Sequence, residues 1–134
     1  MDTSFTLTST FLHLDGGAAE RIAVDETFWP RVISGARPLP GWLVTSFEFA
    51  ATDGDGASQH SEVHPQGDEI HLCVDGAMTA ILERPEGDER INFGSGEACL
   101  VPAGVWHHLV ARKPSRIVSL TFGEGTEHRA NATG

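Results

Sequence analysis

Between Glu62 and Gly76 the chain reads EVHPQGDEIHLCVDG, and no other stretch restricts its fold as strongly. SQHSEVH on one side of Pro65-Gln66-Gly67 and EIHLCV on the other alternate in polarity and carry Val and Ile, the mark of β-strands. The turn between them predicts a hairpin. Successive strand side chains point to opposite faces, so Glu62 and His64 share a face, with His60 in the same parity. Glu69, His71 and Cys73 share a face on the returning strand. An apolar core does not accept that many titratable groups unless they pair or bind something. With both faces turned into one cavity, the hairpin lines it with potential ligand atoms.

The rest of the chain predicts more strands. Residues 5–14 alternate loosely and Gly16-Gly17 ends them. Asp25 reads as the N-cap of a short helix with Phe28, Trp29, Val32 and Ile33 as its apolar face, closed by Gly35 and Pro38. Residues 42–50 form the clearest β-run, with Leu43, Thr45, Phe47 and Phe49 on one face. Residues 53–56 read as a Gly/Asp loop. Asp75-Gly76 signals a tight turn from which residues 77–83 pair back. Residues 90–93, 98–101, 106–111 and 117–122 supply four further strands, and 124–134 read as a small, polar, flexible tail. Many short strands between Gly/Pro/Asp turns indicate an all-β sandwich or barrel with one short N-terminal helix. At 134 residues the chain is expected to be a single domain, its core over residues 41–123.

A second stretch, GSGEACLVPAGVWHHL, reads strand, Pro-Ala-Gly turn, strand, and places His107 just after the turn. Here the sequence resembles the cupins. Their first motif is G-x5-H-x-H-x3–4-E-x6-G; Gly56, Glu62, His64, Glu69 and Gly76 keep its spacing, with Glu62 where the first histidine belongs. Their second is G-x5-P-x-G-x2-H-x3-N; Gly96, Pro102, Gly104 and His107 match, and Ala111 replaces the Asn. The resemblance implies a double-stranded β-helix, the jelly-roll barrel, in which Glu62, His64, Glu69 and His107 meet at one ion. Two imidazoles with one or two carboxylates suit a divalent transition metal, with Fe(II) or Mn(II) favoured and Ni, Co or Zn compatible. If Glu62 binds, the site is two His and two Glu. If it does not, His64, Glu69 and His107 leave open positions and Glu62 is free to act as general base. His71 has the parity to orient a ligand or move a proton. His60 reads as outer-lying or structural, and His108 should point away from the cavity. Cys73 reads as a small hydrophobe, and Trp42 and Trp106 flank the expected mouth.

Composition limits the partners. A net charge of −10 argues against nucleic acid and anionic membrane surfaces, which need basic patches. The N-terminus lacks a signal-peptide pattern, so a cytoplasmic location and reduced Cys73 and Cys99 are expected. The absence of Tyr disfavours cupin enzymes that rely on an active-site tyrosine. Two functions remain: a metal-dependent enzyme on a small-molecule substrate, of dioxygenase or isomerase/lyase type, and a non-catalytic small-molecule-binding or sensor module. Cupin resemblance also implies a homodimer paired through its sheets. Motif spacing speaks to the fold far more than to the reaction, because one fold hosts many chemistries.

Overall fold

A computed structural model describes residues 3–51 and 60–130. The expected 53–56 loop and Gly56 lie outside them. Nine strands and one helix occur among the described residues: β1 (Thr10–Asp15), β2 (Ala18–Ala23), α1 (Phe28–Ile33), β3 (Trp42–Phe49), β4 (His60–Val63), β5 (Glu69–Arg84), β6 (Gly87–Gly94), β7 (Ala98–Val101), β8 (Trp106–Phe122) and β9 (Glu127–Ala130).

The molecule is organised around β5 and β8, which pair antiparallel along most of their length. Their distal halves take different neighbours, and this makes two layers. In one, β2-β1-β3 joins the C-terminal half of β8, with the N-terminal half of β5 and then β7 beyond it. In the other, β9-β4 joins the N-terminal half of β8, followed by the C-terminal half of β5 and β6. The inward rows of both layers, Cys73, Cys99, Val101 and Ile117 against Met78, Ala80, Leu82, Phe93 and Ala111, form one buried core. This is the expected all-β jelly roll. A smaller core of Phe11, Ile22, Phe28 and Leu43 seats α1 against β1–β3.

Several local expectations are corrected. β4 and β5 are not a hairpin: β4 pairs with β8 and β9, and β5 with β6, β7 and β8. The 64–68 link is too long for a two-residue hairpin turn. It carries the chain from one layer to the other, with Gly67 lying so close to Phe122 that any Cβ would meet that side chain. Asp75-Gly76 is a bulge rather than a reversal. Gly76, at φ 120°, sits within the register shifts that separate Cys73↔Ile117 from Met78↔Ala111, where any Cβ on it would meet Ser115. The expected strands at 106–111 and 117–122 are likewise one, β8.

Asp25 does not cap the helix. Its carboxylate accepts the Thr27 N–H (2.9 Å) and hydroxyl (2.7 Å), closing an Asx turn just ahead of α1, whose N-cap is Thr27. Ile33 faces outward at 64% exposure. The N-terminal strand is shorter than expected, beginning at Thr10, and AAERIA forms β2 because the Gly16 turn returns it onto β1. Within the tail expected over 124–134, Glu127–Ala130 form β9, which closes the open edge of β4.

Leu12, Val44, Leu120, Ile70 and Leu100 stand opposite one another across five strands on the outer face of the first layer. Leu72, Val74 and Leu100 are exposed. No helix among the described residues is long and apolar enough to cross a membrane.

Candidate metal centre

The four residues at motif spacing converge where the layers meet. Glu62 and His64 come from β4 and the residue just after it, Glu69 opens β5, and His107 lies near the start of β8, directly opposite Glu62 in register. One ligand atom from each lies within 4.8 Å of all the others. His64, Glu69 and His107 are buried, whereas the Glu62 side chain is 39% exposed.

Glu69 is the hub. Its Oε1 lies 2.9 Å from His107 Nε2 and 2.8 Å from His71 Nε2. Its Oε2 lies 3.1 Å from His64 Nε2 and accepts the Thr121 hydroxyl at 2.5 Å. Glu62 Oε1 is 3.7 Å from His64 Nε2. His71 joins the cluster from β5, with Nδ1 2.7 Å from Ser119 Oγ, but is not one of the four converging ligands.

Donor counting fixes which ring atoms face the centre. His107 Nδ1 lies 2.9 Å from the Val105 carbonyl, which only accepts, so Nδ1 carries the proton. Thr126 Oγ1 donates to the Gly123 carbonyl at 2.6 Å, so its 2.8 Å contact with His64 Nδ1 is a bond that the ring donates. When neutral, both rings therefore turn a bare Nε2 lone pair toward a carboxylate. That arrangement is repulsive unless a proton or a cation lies between. His64 Nε2 and His71 Nε2 are buried without an aligned hydrogen-bond partner. A ligating imidazole held by its other N–H is the usual construction of a metal site, and these residues fit a divalent ion.

Without an ion, protons fill that role. Burial opposes charge on His64, but the Glu62 and Glu69 carboxylates outweigh it and push its pKa up to about 9. Burial likewise opposes charge on His107, and the hydrogen bond and charge of Glu69 raise it. Burial would raise Glu69, yet the charge of His71 and the close approach of the His107, His64 and His71 rings hold it well below the usual carboxylate range.

The other sequence candidates separate. His108 points away, 2.9 Å from Glu83 Oε2, beside Ser61 on the outer side of β4. His60 is exposed on β4 opposite Ala130. Cys73 and Cys99 are buried free thiols. Trp42 packs edge-on against Phe122, and Trp106 lies beneath Arg129 at 4.0 Å. Sequence reasoning missed Thr121 and Ser119, although strand parity places both on the inner face with Ile117. It also missed Thr126 and His128, which lies 3.9 Å from Glu62, because nothing in the polar C-terminal composition signals a strand.

Comparisons with known proteins bear on the family and the fold. The Cupin domain profile matches residues 51–122. No curated protein matches the chain by sequence. Among solved structures, oxalate oxidase in complex with the substrate analogue glycolate has a TM-score of 0.53 at 16% identity, covering 67% of this chain and 46% of that one. Cobalt(II) HppE in complex with substrate has a TM-score of 0.51 at 16% identity, covering 60% and 44%. A cupin-2 domain protein from Shewanella frigidimarina NCIMB 400 has a TM-score of 0.47 at 16% identity, covering 60% and 69%. The aligned part is less than half of the oxidase and HppE chains, and at such identities the likeness speaks to fold. A profile match over more than half of the residues, on a jelly roll that gathers both motifs at one point, establishes that this chain belongs to the cupin family.

Proposed function

We propose that the chain is a metal-dependent enzyme acting on a small molecule, with a divalent ion held by His64, Glu69 and His107 and with Glu62 beside it as fourth ligand or base. The observation that carries this reading is two Nε2 atoms and a buried carboxylate presented at one point, next to a carboxylate that keeps contact with solvent. The oxygen-rich donor set favours Fe(II) or Mn(II) over thiolate-seeking ions, and Ni, Co or Zn also suit it. When bound, such an ion supplies Lewis acidity and, if redox-active, a centre for O2 chemistry.

The chain's own residues supply the rest. Glu62, at the rim, accepts a proton from a substrate carbon or hydroxyl, which suits isomerase or lyase chemistry. His71 holds Glu69 Oε1 from behind, with the Phe93 ring stacked 6.5 Å from it. Met78, Leu82, Phe93 and Ile117 fill the barrel beyond and keep water from the inner side. Dioxygenase chemistry uses the same residues as a binding frame. A non-catalytic binding module is the second reading. It is favoured by Glu69 already lying against three imidazoles and Thr121, a balance that protons alone can maintain. The charge-free row from Leu12 to Leu100, on a chain of net charge −10, supports pairing with a second copy, which sedimentation measures.

Elemental analysis of protein purified without chelator, beside a His64→Ala/His107→Ala variant, tests the metal. About one equivalent of Fe or Mn in the parent, lost in the variant, is expected. A parent that takes up no divalent ion on titration would sink the metalloenzyme reading and leave the binding module. Metal-loaded protein then enters O2-consumption and isomerase screens beside Glu62→Gln, which is expected to abolish turnover.

A further inference from the structure

We propose that Thr126, outside both cupin motifs and beyond the matched family region, is a positioning residue that commits His64 Nδ1 and leaves Nε2 as the ring's open atom. The β4–β9 register places it there. Val63 stands opposite Glu127, so one step further along the antiparallel pair Thr126 falls opposite His64. Its N–H and hydroxyl both donate to the Gly123 carbonyl, at 3.1 and 2.6 Å. The hydroxyl has one proton, and Gly123 holds it. Oγ1 can then only accept at 2.8 Å from the ring.

The turn that carries Thr126 is itself fixed. Gly125 adopts φ 79°, and a Cβ there would come within 3.3 Å of Gln66 and Pro65 in the link between β4 and β5. Beyond the turn, β9 is anchored where Arg129 lies over Trp106 and 3.3 Å from Glu83 Oε1. The two histidines are thus braced differently. His107 leans on a backbone carbonyl three residues after Pro102, within its own motif, and no side-chain substitution removes that brace. His64 leans on one hydroxyl from the turn just ahead of β9. Motif spacing alone cannot orient it, and a chain ending at the matched region would leave its Nδ1 unheld.

The consequence for ion binding rests on the metal-site reading above, so the test separates the two. Histidine 15N–1H correlation spectra of the metal-free protein at alkaline pH, where the rings are neutral, report the tautomer directly. The parent is expected to hold His64 with hydrogen on Nδ1, Thr126→Ser to retain that signature, and Thr126→Val to lose it. In Mn(II) competition titrations, Thr126→Val is expected to bind about 10- to 100-fold more weakly than the parent, with Thr126→Ser close to it. A parent His64 protonated on Nε2 overturns the proposal without any variant. So does a Thr126→Val protein with the parent's tautomer and affinity, or a Thr126→Ser protein as weak as Thr126→Val. A parent that binds no ion but shows the expected tautomer pattern discards the metal reading and upholds Thr126 as the residue that sets the ring.

Discussion

Ion binding at the cupin centre should be strongly pH-dependent, and the size of the effect follows from His64. In the metal-free protein its pKa is about 9, because Glu62 and Glu69 favour the charged ring more than burial disfavours it. At pH 7 such a ring is neutral in about one molecule in a hundred, so a metal that needs the Nε2 lone pair displaces a proton at a cost of about 2.7 kcal/mol. Affinity should therefore rise about tenfold per pH unit between pH 7 and 8. His107 is also raised and steepens the slope, while Glu69 stays ionised throughout. The sign for stability is opposite. Without metal, the raised pKa of His64 contributes stability that is complete below the ordinary imidazole range and is lost as pH rises through about 9. Mn(II) competition titration across this range, corrected for protonation of the chelator, measures the slope. Calorimetry in buffers of different ionisation heat counts the protons released. A flat affinity profile with no proton release would refute the assignment of His64 as a charged ring awaiting a metal.

Two further outcomes test other parts of the structure. Burial would raise the Glu83 pKa, but hydrogen bonds from Ser61, His108 and Arg129 outweigh it and lower it. Its stabilising contribution is thus present above the usual carboxylate range and is lost as pH falls below it. Glu83→Gln should cost about 1–3 kcal/mol at pH 7 by urea denaturation, and less at pH 4; an equal cost at both pH values would contradict this. Phe93 is 2% exposed in the core beside His71, and Phe93→Ala should lower stability by about 3–5 kcal/mol in the same assay. A loss below 1 kcal/mol would mean that the site does not depend on that packing.

The long-range spacing of Glu62, His64, Glu69 and His107 makes the family and the meeting of the four side chains legible in the amino-acid sequence. Strand alternation is a local property, and two-residue parity sorts Glu69 and His71 inward from sequence alone. The same local reasoning fails where the deciding contact is distant. Asp75-Gly76 has tight-turn composition, yet the chain runs straight on because β8 offers a continuous partner on both sides of Ser115. Glu62 to Glu69 resembles a hairpin, but each strand finds its partners elsewhere, and the link crosses between layers instead.

Sequence by itself determined the strand-rich architecture and the chemical inventory of the centre, because alternation, turn residues and ligand types are written position by position. Only the tertiary structure decided how that inventory is presented. Glu69 became the hub of three imidazoles because β5 pairs with β8 in one register and faces β4 across the barrel. Glu62 was left at the solvent edge while its three companions were buried. A polar C-terminal segment with no pattern of its own became a strand because β4 had an unpaired edge, and its Thr126 reached His64. Backbone pairing across dozens of residues depends on which edges remain open after the rest of the chain has folded, and no window of local sequence contains that information.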